Sequence, residues 1–259
     1  MISVDCDGIR YYQFEIFTGK VIQAFFTRRG GVSPKPWSSL NLGGTVGDEQ
    51  WRVVENQRRA LDIIGRKPSS VFDVWQVHSI DVAKALTPRN SDKPHLKADA
   101  IVTDSPGITL MMRFADCVPV YLFDPIHKVI GIAHAGWQGT IKGMIPATIN
   151  AMHLEYGSRP IDILAGIGPS IGPDHYQIGE DVAAHVHSAF GQDSSGVLNI
   201  KDETIFFNLW AANQLQLERC GVREIEISNV CTACHLDDWF SHRAENGKTG
   251  RFGAILGLK

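Results

Sequence analysis

Two apolar runs joined by one short turn, within residues 115–140, place the strongest constraint on the fold. The segment reads ADCVPVYLFDPIHKVIGIAHAGWQGT, with Cys117 before the first run and His134 at the end of the second. The turn at Asp124 and Pro125 is too short for a crossover helix, so the runs are predicted to be antiparallel neighbours in one sheet. We therefore expect the thiol and the imidazole to face each other across one edge of that sheet.

The segments before this pair extend the same pattern. Residues 99–103 and 108–112 are predicted strands around a Pro-Gly turn, so four strands lie between residues 99 and 133 without room for crossover helices. This order argues against a dinucleotide-binding doubly wound sheet, and no G-x-G-x-x-G motif opens a helix after a strand. The chain has no internal repeat, and we predict a single α/β domain over residues 1–259, with mixed, largely antiparallel sheets.

The helices are predicted from apolar periodicity and from their end signals. The clearest covers Asp48 to Ile64, with Asp48 as the N-cap and Val54 among the apolar positions, and it ends at Gly65. A helix over residues 136–156 should break or kink near Pro146. The remaining predictions are a strand at 71–77, helices at 179–190 and 206–220, and a polar connector at 199–203.

Composition excludes several classes of function. The 259 residues carry a net charge of -3 without a basic stripe, so no nucleic-acid partner is expected. No apolar run approaches the ~20 residues of a membrane span, and the N-terminus has no signal-peptide pattern. We therefore expect no membrane partner and a cytoplasmic location. The five cysteines are an odd and sparse set, which argues against a disulfide framework and favours metal-binding or nucleophilic roles.

His78, Cys117 and His134 are the residues with the clearest chemical potential. Thiolate and imidazole are zinc ligands, and a catalytic zinc site has three protein ligands and one open position. A thiolate favours zinc or copper over magnesium or calcium. The spacing leaves two other interpretations open. Cys117 could be a nucleophile with a histidine as its base, or a small buried core residue.

Two further segments carry weaker signals. The sequence CTACH at residues 231–235 has the C-x-x-C spacing of half a zinc site. No second pair at finger or ribbon spacing accompanies it, so a structural or incidental role is favoured over metal binding. The glycine-rich residues 27–33, which include Arg28, are compatible with anion binding, although a solvated turn is the favoured interpretation of this stretch taken alone.

Short motifs along nearly the whole chain carry a family resemblance. They are Thr27-Arg28 with Gly30-Gly31-Val32-Ser33, Asn41-Leu42, Gln76-Val77-His78-Ser79, Ala98-Asp99-Ala100, Ala115-Asp116-Cys117-Val118-Pro119-Val120, His134-Ala135-Gly136-Trp137, Gly166-Ile167-Gly168-Pro169-Ser170-Ile171 and Thr249-Gly250-Arg251. Together they resemble the multicopper polyphenol oxidase, or laccase-domain, family. Its members are now described as purine nucleoside phosphorylases with adenosine deaminase activity, and its bacterial members are also called peptidoglycan-editing factors.

The resemblance implies an α/β sandwich of the type shared with bacterial cytotoxic-factor cysteine hydrolases. It implies that His78, Cys117 and His134 are the three zinc ligands. It also implies phosphorolysis of adenosine, inosine, guanosine and methylthioadenosine, together with deamination of adenosine to inosine. The expected cofactor is Zn²⁺, with copper less favoured. The expected partners are purine nucleosides and phosphate, bound to a monomer or a homodimer.

Other roles are assigned to residues within or beside these motifs. The substrate-binding candidates are Arg28, Asn41, Arg243 and Arg251. Arg28 is the first choice for binding phosphate, because an arginine presents several donors to an oxyanion. Besides the three ligands, Asp116 is expected to be catalytic as the proton donor in deamination, with Asp99 as the alternative.

Two positions depart from the family pattern, and other functions remain open. Gln138 stands where the family usually has arginine, and His242 where it has tyrosine, which puts contacts to the substrate in doubt. A copper-dependent polyphenol oxidase would use paired histidines, but the one H-x-H pair, His185 and His187, is on a predicted helix where the two side chains face different sides. A Cys-His hydrolase and a non-enzymatic interaction module with a structural zinc are the remaining alternatives.

Overall fold

The computed structural model describes residues 1–90 and 92–259. In these ranges the strands are β1 (Ile2–Cys6), β2 (Ile9–Gln13), β3 (Val21–Phe26), β4 (Val71–Phe72), β5 (Val82–Lys84), β6 (Ala100–Thr103), β7 (Thr109–Phe114), β8 (Val118–Asp124), β9 (Val129–Ala135), β10 (Leu164–Ile167), β11 (Gln177–Ile178), β12 (Leu198–Lys201), β13 (Thr204–Phe207), β14 (Glu224–Ile227) and β15 (Phe252–Leu258). The α-helices are α1 (Gln50–Ile63), α2 (Trp137–Lys142), α3 (Met144–Tyr156), α4 (Glu180–Phe190), α5 (Ser194–Val197) and α6 (Leu209–Cys220).

The strands form two six-stranded sheets and one small sheet. The first sheet has the order β1-β2-β3-β15-β7-β4, the second has the order β14-β10-β8-β9-β6-β5, and the small one has the order β11-β13-β12. Within the described residues, β4–β7, β5–β6 and β10–β14 are parallel pairs, and the other neighbours are antiparallel. The prediction of mixed, largely antiparallel sheets is confirmed.

Alternation along β8 shows how the layers are built. Tyr121 and Phe123 lie in the core between the two large sheets, whereas Val120 and Leu122 lie in a second core beneath helices α2 to α6. Successive side chains of a strand point to opposite faces, so one continuous apolar run fills both cores. The second sheet is therefore covered on one face by the first sheet and on the other by helices.

The first sheet repeats this arrangement with α1 on its outer face. In β15, Ala254 and Leu256 point into the core between the sheets, and Ile255 packs on the other side with Leu61 of α1. The order of layers is thus α1, first sheet, second sheet, and the group α2 to α6. This is an α/β sandwich, as predicted. A single domain spanning residues 1–259 remains a prediction.

Helix α1 starts later than predicted because Asp48 has another role. The helix begins at Gln50, and its N-cap residue Glu49 makes no capping hydrogen bond. The Asp48 carboxylate instead accepts hydrogen bonds from Ser33 (2.6 Å) and Asn41 (3.0 Å), which joins two loops. Val54, predicted to be on the buried stripe, is 54% exposed. The apolar positions alone did not distinguish it from the buried ones.

Three other predicted elements differ in extent. The strand predicted at 71–77 is limited to β4, and the chain then loops toward His78. The helical segment 136–156 breaks at Gly143, whose φ of 89° is left-handed. Pro146 therefore lies in the first turn of α3, where a missing backbone N–H breaks no helical hydrogen bond. The segment 199–203, predicted to be a polar connector, forms part of the antiparallel pair β12–β13. Its side chains are polar because the strand is exposed.

None of the helices in the described ranges is long and apolar enough to cross a membrane. The longest of them, α1, has 14 residues. A membrane-spanning helix needs about 20 predominantly apolar residues.

Candidate metal centre and surrounding cavity

The predicted pairing of Cys117 and His134 is present at the end of a hairpin. Strands β8 and β9 are antiparallel, with Val118 opposite Ala135 and Pro119 opposite His134, so Cys117 directly precedes the paired region. His78 arrives from the loop after β4 with a φ of 59°, a conformation that is uncommon outside glycine. The ligand atoms of His78, Cys117 and His134 all lie within 4.8 Å of one another.

Asp99 positions both histidines. Its Oδ1 atom lies 2.8 Å from Nδ1 of His134, and its Oδ2 atom accepts hydrogen bonds from the amides of Val77 (3.1 Å) and Ser79 (2.7 Å), on either side of His78. Because Nδ1 of His134 is bound to Asp99, Nε2 is left for a metal. Burial raises the pKa of Asp99, but His134 and the two amides outweigh this effect and bring that pKa to about 2. Asp99 is therefore an orienting carboxylate and is poorly suited to donate a proton.

Gly136 leaves the space in which the three side chains converge. A Cβ atom at this position would lie 2.7 Å from Sγ of Cys117 and 3.3 Å from Cδ2 of His78. The first of these separations is shorter than any ordinary van der Waals contact, so a larger residue would displace the thiol. The motif His134-Ala135-Gly136 thus supplies one proposed ligand, His134, and leaves room at Gly136 for the thiol of Cys117.

The site favours the thiolate form of Cys117. Burial raises the pKa of Cys117, but the neighbouring His134 and His78 outweigh it, and the net shift of the pKa is downward. Burial lowers the pKa of His134, whereas Cys117 and Asp99 raise it, with an upward result. These opposite shifts favour the thiolate of Cys117, whereas His134 would bind a metal as a neutral imidazole. A thiolate is the form that binds metals and the form that attacks electrophiles.

This donor set fits a metal ion. Two imidazoles and one thiolate match the ligand types of zinc, and three protein ligands leave one position for water or substrate. Asp99 provides the carboxylate–histidine contact that accompanies many metal-binding histidines. His78, Cys117 and His134 are therefore the residues that could hold a metal at the cavity, as predicted from the sequence. That they do so stays a prediction.

The three side chains open into a cavity of about 680 Å³. Aromatic and imidazole rings on its wall come from Trp75, Trp137, Tyr176, His95 and His242. Its charged residues are Asp73, Asp116, Arg89, Arg113, Arg243 and Arg251. A cavity of this size accommodates a molecule of nucleoside size. Its lining combines flat surfaces for a ring with cations for an anionic group.

The four arginines of the cavity differ in how their charge is balanced. Arg89 and Arg113 both contact the buried Asp73 carboxylate, at 2.5 Å and 2.7 Å. In contrast, among the described residues neither Arg243 nor Arg251 has a carboxylate oxygen within the 4.0 Å of an ion pair. Burial lowers the pKa of Arg251, but a guanidinium remains protonated at neutral pH. Arg243 and Arg251 therefore bring to the cavity positive charge that no direct ion pair among the described residues offsets, although Cys117 and Asp116 act on Arg251 through their charge.

Asp116 links the metal-ligand cluster to Arg243. Its φ of 82° is left-handed, and it directly precedes Cys117. Oδ1 accepts a hydrogen bond from the Thr232 hydroxyl (2.6 Å), and Oδ2 accepts one from the backbone amide of Arg243 (2.7 Å). Backbone strain of this kind often occurs at functional sites, where surrounding contacts hold it in place.

Arg28, the first choice for binding phosphate, lies outside the cavity lining. Its guanidinium pairs with Glu245 at 3.1 Å, donates to the carbonyls of Ser38 (2.8 Å) and Leu236 (2.9 Å), and lies over the ring of Phe240. These contacts tie the Thr27–Ser33 segment to the C-terminal loops. The placement does not support a phosphate contact by Arg28.

Asn41 is also outside the cavity lining, but its side chain binds the backbone of two residues that line the cavity. Its side-chain oxygen accepts hydrogen bonds from the amides of Gly43 (3.0 Å) and Arg251 (2.9 Å), two residues that line the cavity. Asn41 is fully buried. Its position is that of a residue that holds Arg251 in place, without direct access to a substrate.

The two departures from the family pattern fall in different places. His242 is on the cavity wall, next to Arg243, whereas Gln138 is absent from the lining. Sequence reasoning missed Asp73, Arg113 and Tyr176. They come from separate strands and loops and form no local motif, so only their convergence in three dimensions reveals them. Arg243 and Arg251 line the cavity, and their role as substrate-binding residues stays a prediction.

Comparisons with known proteins agree with this architecture. Residues 22–259 match the family model described as multi-copper polyphenol oxidoreductase laccase. The chain is 38% identical over 239 residues to a purine nucleoside phosphorylase of Deinococcus radiodurans, which covers 92% of this chain and 89% of that one. It is 34% identical over 249 residues to the purine nucleoside phosphorylase YlmD of Bacillus subtilis, covering 93% and 89%.

Solved structures show the same fold. The crystal structure of YlmD from Geobacillus stearothermophilus has a TM-score of 0.93 at 31% identity and covers 99% of this chain and 98% of that one. The structure of Neisseria meningitidis protein NMB0706 has a TM-score of 0.83 at 29% identity, covering 100% and 98%. On the residues matched and on the fold they form, this chain belongs to the multi-copper polyphenol oxidoreductase laccase family.

Proposed function

We propose that this protein is a purine nucleoside phosphorylase that works at the cavity around His78, Cys117 and His134 and also deaminates adenosine. The observation that carries the proposal is the joint presence, in one cavity, of this ligand cluster and the cations Arg243 and Arg251, which form no direct ion pair among the described residues. Two relatives at more than 30% identity bear the name purine nucleoside phosphorylase. The substrates would be adenosine, inosine, guanosine or methylthioadenosine, with phosphate.

Phosphate is assigned to Arg243 and Arg251. Phosphorolysis requires an anion held against C1′ of the ribose while the base departs, and positive charge on the sugar develops in the transition state. Arg251 is fixed by hydrogen bonds from its Nη1 atom to the carbonyls of Thr249 and Gly250. Arg243 is fixed through its backbone amide on Asp116 and through Nη1 on the carbonyl of Gln177. Both guanidinium groups are thereby preorganised and retain donors for an oxyanion.

The base is assigned to the aromatic wall. Tyr176 has the Arg243 guanidinium 5.0 Å from its ring centroid, and Trp137 begins α2 beside the ligand cluster. A purine that stacks on such a ring gains dispersion contacts without a need for hydrogen bonds. His242 offers a ring nitrogen in the same region, where a base nitrogen or a ribose hydroxyl could meet it.

The metal proposed for the cluster is zinc. When bound, zinc acts as a Lewis acid and can make a coordinated water nucleophilic near neutral pH. The protein's part is to present the Cys117 thiolate, to fix His134 through Asp99, and to fix His78 between two amides held by the same carboxylate. These contacts cost no reorganisation at the moment of reaction.

Deamination needs a group that passes a proton to the departing ammonia. Of the two carboxyls considered for this role, Asp116 lines the cavity, and Asp99 is buried behind His134. Each Asp116 oxygen accepts one hydrogen bond and retains a lone pair for another partner. We assign the proton transfer to Asp116, which also positions Arg243.

A Cys-His hydrolase is the second candidate. The observation that favours it is the chain of contacts from Cys117 to His134 to Asp99, which is the order of nucleophile, base and orienting carboxylate in thiol hydrolases. A bound metal would occupy the thiolate, so the two functions exclude each other at this site. Full hydrolytic activity after complete removal of metal would establish the hydrolase.

Copper-dependent phenol oxidation has weaker support. His185 and His187 lie on α4 with separate partners, since Nδ1 of His185 faces the Asp181 carbonyl and Nδ1 of His187 faces Ser194. They do not belong to the cluster of His78, Cys117 and His134. Dye oxidation by copper-loaded protein, combined with loss of phosphorolysis, would favour the oxidase.

Turnover of adenosine and inosine with and without phosphate tests the proposal. We expect free base and ribose 1-phosphate only with phosphate, inosine from adenosine in either case, and zinc in the purified protein. Cys117→Ser should abolish both reactions, whereas Cys220→Ser, outside the cluster of His78, Cys117 and His134, should retain them. Base release that is independent of phosphate, or full activity of Cys117→Ser, would refute the proposal.

A further inference from the structure

A second group of metal-ligand side chains lies apart from the cavity lining. Asp174, His175, Cys231 and Cys234 place one ligand atom each within 4.8 Å of the others. The sequence alone favoured a structural or incidental role for the two cysteines, because no partner pair follows at a known spacing. The structure supplies the partners from upstream in the chain, with His175 lying 56 residues before Cys231 and Asp174 next to it. His235, the adjacent histidine in the sequence, is not in the group.

Local backbone contacts bring the two segments together. Ser170 forms a parallel bridge with Cys231, and the amide of Thr232 donates to the Ser170 carbonyl at 3.0 Å. After Gly172 the chain turns, with the amide of His175 bonded to the Gly172 carbonyl at 3.1 Å. The turn directs His175 toward the cysteines. A Cβ atom on Gly172 would lie 2.9 Å from Oδ1 of Asp174 and 3.0 Å from Cβ of Cys231, so a larger residue there would press on both segments.

We propose that Cys231, Cys234, His175 and Asp174 bind a second zinc ion in a closed, four-ligand site. Nδ1 of His175 lies 3.6 Å from Sγ of Cys234 and 3.9 Å from Sγ of Cys231. Tetrahedral zinc with its usual bond lengths separates a sulfur and a nitrogen ligand by about 3.6 Å. Oδ1 of Asp174 lies 3.0 Å from the same nitrogen, within reach of the fourth position after a small movement.

The chemistry of the donors selects the metal. Two thiolates and an imidazole favour zinc over magnesium or calcium, and a C-x-x-C pair chelates one ion from a single turn. The amide of Gly172 donates to Sγ of Cys231 at 3.1 Å. Amide donors of this kind stabilise the thiolate form and accompany sulfur ligands in metal sites. Four protein ligands leave no open position, which distinguishes this site from the three-ligand cluster in the cavity.

Zinc at this position would tie together two segments that form part of the cavity. Tyr176 follows His175 directly and carries the cation–π contact with Arg243. Thr232 follows Cys231 directly and donates to Asp116. The ion would therefore fix both residues from outside the cavity, without touching a substrate. Its role is structural.

A redox-active C-x-x-C pair is the rival interpretation of the same cysteines. Cys231 is 5% exposed and Cys234 is exposed, as in a pair with one accessible thiol. That interpretation gives no function to His175 and Asp174 and no reason for the third and fourth ligand atoms to converge. Metal content under reducing conditions separates the two.

The experiment is metal analysis of the full chain, purified and dialysed with a phosphine reductant after loading with excess zinc. We expect about two zinc ions per chain in the wild type, one in Cys234→Ser and one in Cys117→Ser. Cys220→Ser, which removes a free thiol outside both clusters, should retain two. His175→Gln should also lose one zinc ion. The His175 side chain is partly exposed, so its replacement should leave the fold and the circular dichroism spectrum unchanged.

Cobalt substitution gives a second measurement that does not depend on activity. In Cys117→Ser, bound cobalt should show tetrahedral absorption bands with thiolate charge transfer, and the additional change Cys234→Ser should remove them. No zinc in Cys117→Ser, or no difference in zinc content between Cys234→Ser and the wild type, would overturn the proposal. A Cys231–Cys234 disulfide that forms readily in the zinc-loaded protein would favour the redox pair and would also overturn it.

Discussion

Nδ1 of His134 lies 2.8 Å from Oδ1 of Asp99, and the other oxygen of the same carboxylate holds the amides on either side of His78. One buried side chain thus fixes two of the three proposed ligands. Because these ligands come from different parts of the chain, Asp99 joins the end of β9 to the loop that carries His78. The Asp99 carboxylate therefore connects the backbone of the fold to two side chains of the proposed metal site.

We expect Asp99→Asn to weaken zinc binding at the cavity. An amide keeps the shape but can present NH₂ where Asp99 accepts a hydrogen bond, so the orientation of His134 and of the His78 loop is disturbed. Loss of such an outer contact typically costs about 10-fold to 100-fold in metal affinity. Competition with a chromophoric chelator measures the change, and Asp104→Asn, in the turn after β6, is the matched control. Equal affinity in both variants would contradict the role given to Asp99.

We expect Gly136→Ala to impair the same site by a steric route. The added methyl carbon would lie 2.7 Å from Sγ of Cys117, so the thiol or the hairpin end must move. The variant should bind less than a full equivalent of zinc at the cavity while its circular dichroism is unchanged. Gly107→Ala is the matched control, since nothing lies within 4 Å of a Cβ there. Normal metal content in Gly136→Ala would show that the site can relax without cost.

The parts of this site that are local in sequence could be predicted, and the parts that depend on tertiary contacts could not. The Cys117–His134 pair follows from one hairpin, because a short turn dictates antiparallel pairing. Arg28 was preferred as the phosphate ligand on its glycine-rich surroundings, yet its guanidinium is engaged by Glu245. Nothing in the local sequence shows which arginines are balanced by a carboxylate. His175 is beyond prediction for the same reason, because it reaches Cys231 from a remote loop.

The fold shows a similar division. Continuous apolar runs such as β8 indicated buried strands, and the two cores on either side of that strand explain why it has no polar alternation. Exposed or short elements were harder. The polar residues of β12 led to the prediction of a connector where the structure has a strand. The start of α1 depended on whether the Asp48 carboxylate capped the helix or accepted hydrogen bonds from Ser33 and Asn41. Propensity cannot decide between two such partners.

We expect Arg251→Gln to raise the KM for phosphate and to leave the KM for the nucleoside nearly unchanged. A hydrogen bond to a charged group contributes roughly 1.5–3 kcal/mol, which corresponds to about a 10-fold to 100-fold change. Initial rates at varied phosphate measure the effect. Arg28→Gln is the matched control. It should lower the melting temperature, because Glu245 and several carbonyls lose their partner, but it should not change the KM for phosphate. The reverse pattern would return the phosphate role to Arg28.

We expect the contribution of Asp73 to stability to depend on pH. Burial raises the pKa of Asp73, but Arg113, Arg89 and His95 outweigh it, so the pKa in the folded protein is below its usual 3.8. A carboxyl with a lowered pKa stabilises the folded state fully above its unfolded pKa, and this stabilisation is lost as the pH falls through the folded value. Asp73→Asn should therefore be less stable than the wild type near neutral pH, by roughly 1–3 kcal/mol.

The difference between Asp73→Asn and the wild type should begin to shrink below about pH 4, where Asp73 of the unfolded chain becomes protonated, and it should vanish only below the lower pKa of the folded state. Urea unfolding at several pH values between 7 and 3 measures it. Asp104→Asn, which changes an exposed carboxyl, should stay close to the wild type throughout. A stability difference that stays constant with pH would mean that Asp73→Asn loses packing or hydrogen-bond geometry. Only the loss of the charge interaction of Asp73 with Arg89 and Arg113 would make the difference disappear in acid.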